Sequence, residues 1–198
     1  MFMKTNILTA SEMRDFHLCY TPTALTEEQY VNSISTLIER TRILDATVVP
    51  HNEEELTYRY DKSLIITNGF DIIGHLSLYA SQIPEIQELA IGEIGSVIIE
   101  SKYRSHGLGE KLVTWGINML WEQYSSLVAA TVNFTMEKIL TKHAFESIPF
   151  PDSYYNAGKK YLSPLMGWWE WEFQERARFM VLERVIGTKK QILELTKK

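Results

Sequence analysis

The sequence carries a single cysteine, Cys19, in 198 residues. No intramolecular disulfide can form, and a zinc site built from several cysteines is excluded. It has no apolar run of membrane-spanning length, and Met1 to Leu8, with one lysine, has no apolar core of a secretory signal. The expectation is a cytoplasmic protein with no membrane partner. Positive charge is also short. Lys and Arg number 20 against 25 Asp and Glu, a net charge of -5, so a broad basic footprint is missing and a nucleic-acid partner is not expected. Such a balance fits a cationic substrate better than a polyanion. There is no internal repeat and no low-complexity stretch. With 45% hydrophobic residues, the chain can bury a sizeable core as a single domain, residues 1–198.

What is present reads in order. Asn6-Ile7-Leu8 suggests a short strand, and Thr9-x-x-Glu12 a capping box that opens a helix running to about Tyr20. Pro22 interrupts it. Thr26-x-x-Gln29 opens a second helix, whose apolar stripe is Tyr30, Ile34, Leu37, Ile38 and Ile43. From Ala46 the period changes. His51 to Glu55 reads as a solvated acidic loop, without the spaced partners of a metal site, and Leu56, Tyr58 and Tyr60 then alternate with polar residues as a strand would. Ser63–Thr67 and Ile72–Tyr79 are further strands. Asn68-Gly69 between them predicts a type I′ hairpin, which needs positive φ at both central residues. A loop with Pro84 leads on.

The chemical centre of the chain is Arg104-Ser105-His106-Gly107-Leu108-Gly109. A β-branched strand, Ile94–Ile99, precedes it. Leu108, Leu112, Trp115 and Met119 follow at helical steps, so the glycines sit where a strand turns into an amphipathic helix. Such a terminus favours a phosphate. The spacing fits neither a P-loop nor a dinucleotide fingerprint. A second buried strand, Leu127–Val132, ends at Asn133, and a helical stripe of Met136, Ile139 and Leu140 leads to Phe145. Strand, Tyr103-Arg104-x-x-Gly107-x-Gly109 and helix, followed by Asn133 and, twelve residues later, Phe145 behind a small Ala144, resemble the acetyl-CoA region of the GNAT-type N-acetyltransferase superfamily.

The resemblance implies a single α/β domain, with a mixed, mainly antiparallel sheet flanked by helices, that transfers an acetyl group from acetyl-CoA to a primary amine by direct attack. The acceptor is a small-molecule or protein amine. Backbone amides from Arg104 through Ser105, His106, Gly107, Leu108, Gly109 and Glu110 would cradle the pyrophosphate, the strand edge at Ile98 and Ile99 would pair with pantetheine, and Asn133 would be a further cofactor contact. Arg104 and Lys111, with Lys138 and Lys142, could add positive charge or be solvated helix faces. Glu93 is the candidate general base, six residues before Ile99, and strand alternation puts it with Gly95, Val97 and Ile99 on one face. It could equally begin the strand in solvent, and Glu88 is a lesser candidate. No metal is implied.

The family's usual proton donor is a tyrosine seven residues beyond the asparagine, and here that position is Leu140. Tyr154, Tyr155, Tyr161 or His143 would have to substitute, or the chain is a GNAT-like CoA-binding or regulatory module that does not catalyse. Cys19, expected in the first helix, has no motif of an acyl-cysteine nucleophile. Residues 149–167 form an inserted segment, in which Pro149 and Pro151 stop the preceding helix and Asp152–Pro164 shapes acceptor choice. Trp169, Trp171 and Phe173 alternate with Glu170 and Glu172 as the first strand of a closing hairpin, the return being Phe179–Leu182; with Trp168 they suit a core face, a homodimer contact or a substrate wall. A short C-terminal helix carries Ile192 and Leu195.

Overall fold

The computed structural model describes residues 16–43, 48, 51–80, 90–148, 178–184 and 187–195. The expected strand at Asn6, the box at Thr9, Glu88, the segment 149–167 with its three tyrosines, and the tryptophan strand lie outside the described residues. Among the described residues, seven strands form one open mixed sheet, in the spatial order β1 (His17–Tyr20), β2 (Ser63–Thr67), β3 (Ile72–Ala80), β4 (Ile91–Ile99), β5 (Ser126–Thr131), β7 (Arg178–Glu183) and β6 (Glu146–Ile148), flanked by helices. This is the mainly antiparallel α/β arrangement expected. The chain divides into two compact units, one containing the described residues up to Ser77 together with Ser96–Leu112, the other Leu78–Gly95 and the residues from Val113 onward. No helix among the described residues is long and apolar enough to cross a membrane.

In the first unit, β1 (His17–Tyr20) pairs antiparallel with β2 (Ser63–Thr67), and β2 with β3 (Ile72–Ala80). The helix expected to run to Tyr20 is therefore corrected. Residues 17–20, including Cys19, are strand because β2 offers them a ladder, which outweighs a local preference. Pro22 does not break a helix either. It occupies the first turn of α1 (Thr21–Ala24), where its missing N–H has no acceptor to lose.

Helix α2 (Glu27–Arg42) starts as its sequence dictates. The Gln29 amide donates to Thr26 Oγ1 and the Thr26 amide to Gln29 Oε1, at 3.3 and 2.9 Å. Tyr30, Ile34, Leu37 and Ile38 are buried against Val48, Leu56, Ile65, Ile72 and Ile98. Fully burying each such side chain contributes about 1.5–3 kcal/mol. Ile43, placed on that stripe by periodicity, is 82% exposed, because the helix ends one residue before it.

The stretch after His51 is also corrected. It is a helix, α3 (Glu53–Arg59), not a strand, opened by a second reciprocal box between Asn52 and Glu55 with three glutamates at the positive end of its dipole. Only Leu56 of the alternating set is buried, so the period-two pattern had no buried face behind it. Between β2 and β3 the hairpin is a four-residue loop in which Gly69 alone has positive φ. Asn68 Oδ1 accepts the amides of Phe70 and Asp71, at 3.1 and 2.8 Å, which supplies the turn in place of type I′ geometry.

In the second unit, β4 (Ile91–Ile99) begins with a parallel pairing of Ile91, Gly92 and Glu93 to Ser126, Leu127 and Val128 of β5 (Ser126–Thr131). Strand β7 (Arg178–Glu183) runs antiparallel to β5 and, on its other edge, to β6 (Glu146–Ile148). Ile91, Val128, Ile148, Phe179, Val181 and Ile192 form the core, the last from α6 (Thr188–Leu195). Helix α5 (Phe134–Lys142) ends before the prolines expected to stop it, and Glu146–Ile148 continues as strand. Helix α4 (Leu108–Leu120) buries Leu108 and Leu112 at its start and Leu120 at its end.

Candidate functional site

The loop between β4 and α4 is built from backbone angles that its residues can just accommodate. A 3₁₀ turn, Ser101–Tyr103, leads to Arg104, and two left-handed residues, Ser105 (φ 67°) and Gly107 (φ 75°), bracket His106. Glycine takes that conformation without strain, whereas serine does so at a cost. The first bond of the helical ladder runs from the Lys111 amide to the Gly107 carbonyl at 3.1 Å, so the Leu108 and Gly109 amides stand ahead of it. A Cβ built on Gly107 would meet nothing within 4 Å. The turn is therefore an open cradle at a helix N-terminus, and the expected residues Arg104 to Glu110 are contiguous in it.

Its root is firmly tied. The Glu100 amide donates to the Ile73 carbonyl of β3 at 2.9 Å. Alternation then turns the backbone groups of Ile98 towards β3 and those of Ile99 away from it, so of the two residues expected to meet pantetheine only Ile99 presents its backbone to the other edge. The Ile98 side chain is buried in the α2 cluster. Arg104 folds back, donating from Nε to the Ile99 carbonyl at 3.0 Å. Glu100 is flanked by Lys102 at 3.3 Å and Arg40 at 3.5 Å. Tyr103 accepts a hydrogen bond from Asn68 Nδ2 at 3.0 Å and packs edge-on against Phe16.

Glu93 does not begin the strand in solvent. It is 5% exposed and stands in register with Val128. The single face proposed for Glu93, Gly95, Val97 and Ile99 is corrected, because Ser96 between them is left-handed (φ 51°) and a left-handed residue interrupts the pleat. Asn133 spends its Oδ1 on the amides of Thr135 and Met136, at 2.9 and 3.2 Å, as the N-cap of α5. Leu140 is fully buried, and His143 Nε2 lies 3.2 Å from Thr114 Oγ1. Lys138 and Lys142 are exposed, with Lys138 over the Phe134 ring.

A second polar constellation lies outside every sequence expectation. His51, taken for part of a solvated loop, has a side chain only 6% exposed. Its Nδ1 is 3.3 Å from Glu55 Oε2 and its Nε2 2.8 Å from Ser96 Oγ. The Asn52-x-x-Glu55 box was the signal that could have placed the first of these contacts. The second joins residues 45 apart, and no local pattern announces it.

No protein-family model matches this sequence, and no curated protein matches it. Solved structures do. The chain is similar to the Rv2747 protein of Mycobacterium tuberculosis, solved with CoA, at a TM-score of 0.60 and 14% identity over 85% of this chain and 99% of that one. It is similar to N-acetylglutamate synthase from Neisseria gonorrhoeae, solved with coenzyme A and N-acetyl-glutamate, at 0.58 and 16%, over 85% of this chain but only 35% of that longer one. An acetyltransferase of the GNAT family from Streptococcus pneumoniae matches at 0.53 and 16%, over 67% of this chain and 85% of its own. At such identities the likeness is one of architecture, and it shows that the chain has the GNAT-type acetyltransferase fold.

Proposed function

We propose that this chain is an acetyl-CoA-dependent N-acetyltransferase that acts on a primary amine by direct attack. The observation that carries the reading is the open left-handed turn at Gly107, placed at the start of α4 in a GNAT-type fold. The missing Cβ leaves room for a phosphate to approach the backbone, and the Leu108 and Gly109 amides with the helix dipole favour its charge. Structural neighbours solved with CoA support the same donor. When bound, acetyl-CoA supplies the activated acetyl group. The chain's part is to hold it through the loop amides and the Ile99 edge, to exclude water, and to take a proton from the amine.

Glu93 is the carboxylate that the resemblance offers as base, and its burial is compatible with a functional role. The acceptor is a small-molecule or protein amine. The non-catalytic alternative draws on Leu140, which cannot donate a proton and is fully buried. Thermal unfolding with acetyl-CoA followed by an assay for CoA release with amines separates the readings. A dose-dependent rise in Tm is expected, since a ligand of the folded state stabilises it. Gly107→Ala should weaken that rise relative to the variant's own baseline. A rise without CoA release would favour the binding module, and no rise at saturating acetyl-CoA would overturn both.

A further inference from the structure

Three side chains from two separate elements converge in the first unit. Glu55, in the first turn of α3, accepts the Asn52 amide at 3.1 Å and faces His51 Nδ1 with the same oxygen. A carboxylate at Nδ1 fixes the proton on that nitrogen and leaves the Nε2 lone pair pointing at Ser96 Oγ, 2.8 Å away. Burial first, with the positive charge of Arg59, holds the His51 pKa below its ordinary value, while the hydrogen bond from His51 holds that of Glu55 down. The resting pair is a neutral imidazole and a carboxylate.

Ser96 is held for this contact. Its left-handed backbone within a strand is uncommon for a residue with a Cβ, and such strain persists only where surroundings enforce it. His75 Nδ1 sits 3.1 Å from the Ser96 carbonyl, and its Nε2 is 2.9 Å from the Tyr30 hydroxyl and 3.2 Å from Ser63 Oγ. The Arg59 guanidinium donates to Ser96 Oγ. A hydroxyl that accepts from a cation gives its own proton to the neighbouring acceptor, here His51 Nε2, and keeps one lone pair for a third partner. Ser96 lies three residues before Ile99, about 10 Å along the strand that leads to the cradle.

We propose that Ser96 and His51, oriented by Glu55, form the proton-accepting relay of an amine acyl transfer. The inference rests on the acetyltransferase reading above. The ammonium gives one proton to Ser96 Oγ while the Ser96 hydroxyl proton passes to His51 Nε2, so the free amine and an imidazolium beside Glu55 result. As the amine nitrogen bonds to the acyl carbon and the C–S bond breaks, the nitrogen's second proton goes to the departing sulfur. His51 then releases its proton to solvent. Ser96 and His51 are the catalytic residues of this relay, in place of Glu93 as the base, and Glu55 is its positioning residue. Glu55, Arg59 and the buried His75 are the titratable and charged groups facing it.

The test is steady-state CoA release from acetyl-CoA with spermidine, L-lysine and L-glutamate as amine probes, for the wild type, His51→Gln, Ser96→Ala and Glu55→Gln. Folding and acetyl-CoA binding are followed in parallel by Tm. His51→Gln should lower kcat by about 100-fold or more, the usual worth of a general base, with the acetyl-CoA-induced Tm rise intact. The acid limb of the kcat profile should vanish with it. Ser96→Ala should lower kcat while keeping that limb. Glu55→Gln, which can still form the capping box, should move the limb to lower pH. Wild-type turnover with unchanged kcat and acid limb in His51→Gln overturns the relay alone. An acetyl group trapped on Ser96 by mass spectrometry also overturns it, making Ser96 a nucleophile. Absence of both a Tm rise and CoA release in the wild type would overturn the acetyltransferase reading and the relay together.

Discussion

The amide of Phe145 donates to the carbonyl of Leu140 at 3.1 Å, reaching across Ala144, whose φ is 63° and whose own amide donates to the Thr141 carbonyl at 3.0 Å. These are the two bonds that close a helix in a Schellman motif, and the left-handed position between them is ordinarily glycine. The sequence keeps the geometry and omits the residue that would relax it. Ala144 is exposed, so little packing opposes its replacement. Ala144→Gly should raise stability by about 0.5–1 kcal/mol, the relief of left-handed strain less the added entropy of the unfolded chain. Urea unfolding of the two proteins checks it, and a loss of stability would mean that the methyl contributes contacts not apparent from its exposure.

Gly74 in β3 sits under a crowded patch. A Cβ there would lie 2.9 Å from Ile99 Cδ1 and 3.3 Å from Ile66 Cβ and Leu112 Cδ1. Gly74→Ala should therefore destabilise by about 1–2 kcal/mol, overpacking outweighing the gain from a stiffer unfolded chain. Ile99→Val removes the nearest atom. The double-mutant cycle should show a favourable coupling of about 0.5 kcal/mol or more, whereas additive effects would place the strain at Ile66 or Leu112.

The parts of this protein that were legible in the sequence are those whose physics is local. Thr26 and Gln29 mark a helix start because both partners of the cap lie within four residues, and Ser63–Thr67 reads as strand because Leu64, Ile65 and Ile66 form a short apolar run at its centre. The Gly107 turn is announced by glycine itself. Residues 17–20 and the helix after Asn52 were misread for opposite reasons. The first takes its conformation from a partner strand some 45 residues away in register, and the second is so short that burying Leu56 alone satisfies it. The left-handed Ser96 has no signature in the sequence, since serine is not the residue such a backbone calls for. Its contact with His51 is tertiary, and the arrangement around it had to be seen in three dimensions.

His75 gives a stability signature in pH. Burial, chiefly, lowers its pKa from 6.5 to about 3, so the folded protein keeps the ring neutral through the mildly acidic range. The unfolded chain binds the proton below about 6.5, hence stability rises with pH there and is lost as pH falls. From pH 7 to pH 5 this one group should cost about 2 kcal/mol, with His51 adding in the same direction. Glu55 enters only lower, near the carboxylate range. NMR should find the His75 ring neutral at pH 5. A midpoint near its ordinary value would show that water reaches it.

On the proposed acetyltransferase reading, Leu140 stands where the resemblance expects a proton donor for the leaving thiolate. The residue is fully buried at the end of α5, so its side chain serves packing, and Leu140→Ala should cost about 2–5 kcal/mol. A tyrosine there must overpack the same space, at about 1–3 kcal/mol, before its hydroxyl can reach anything. The chemistry does not demand it. Thiols ionise near about 8.5, so a thiolate leaves at neutral pH with far less assistance than an alkoxide would need. Leu140→Tyr should therefore lower Tm without raising kcat, and the wild-type kcat profile should lack the alkaline decline that an essential tyrosine acid produces. If Leu140→Tyr instead increases kcat at a temperature where both proteins are folded, the helix end does open towards the reacting sulfur. Its burial in the free protein would then be a state from which substrate binding releases it.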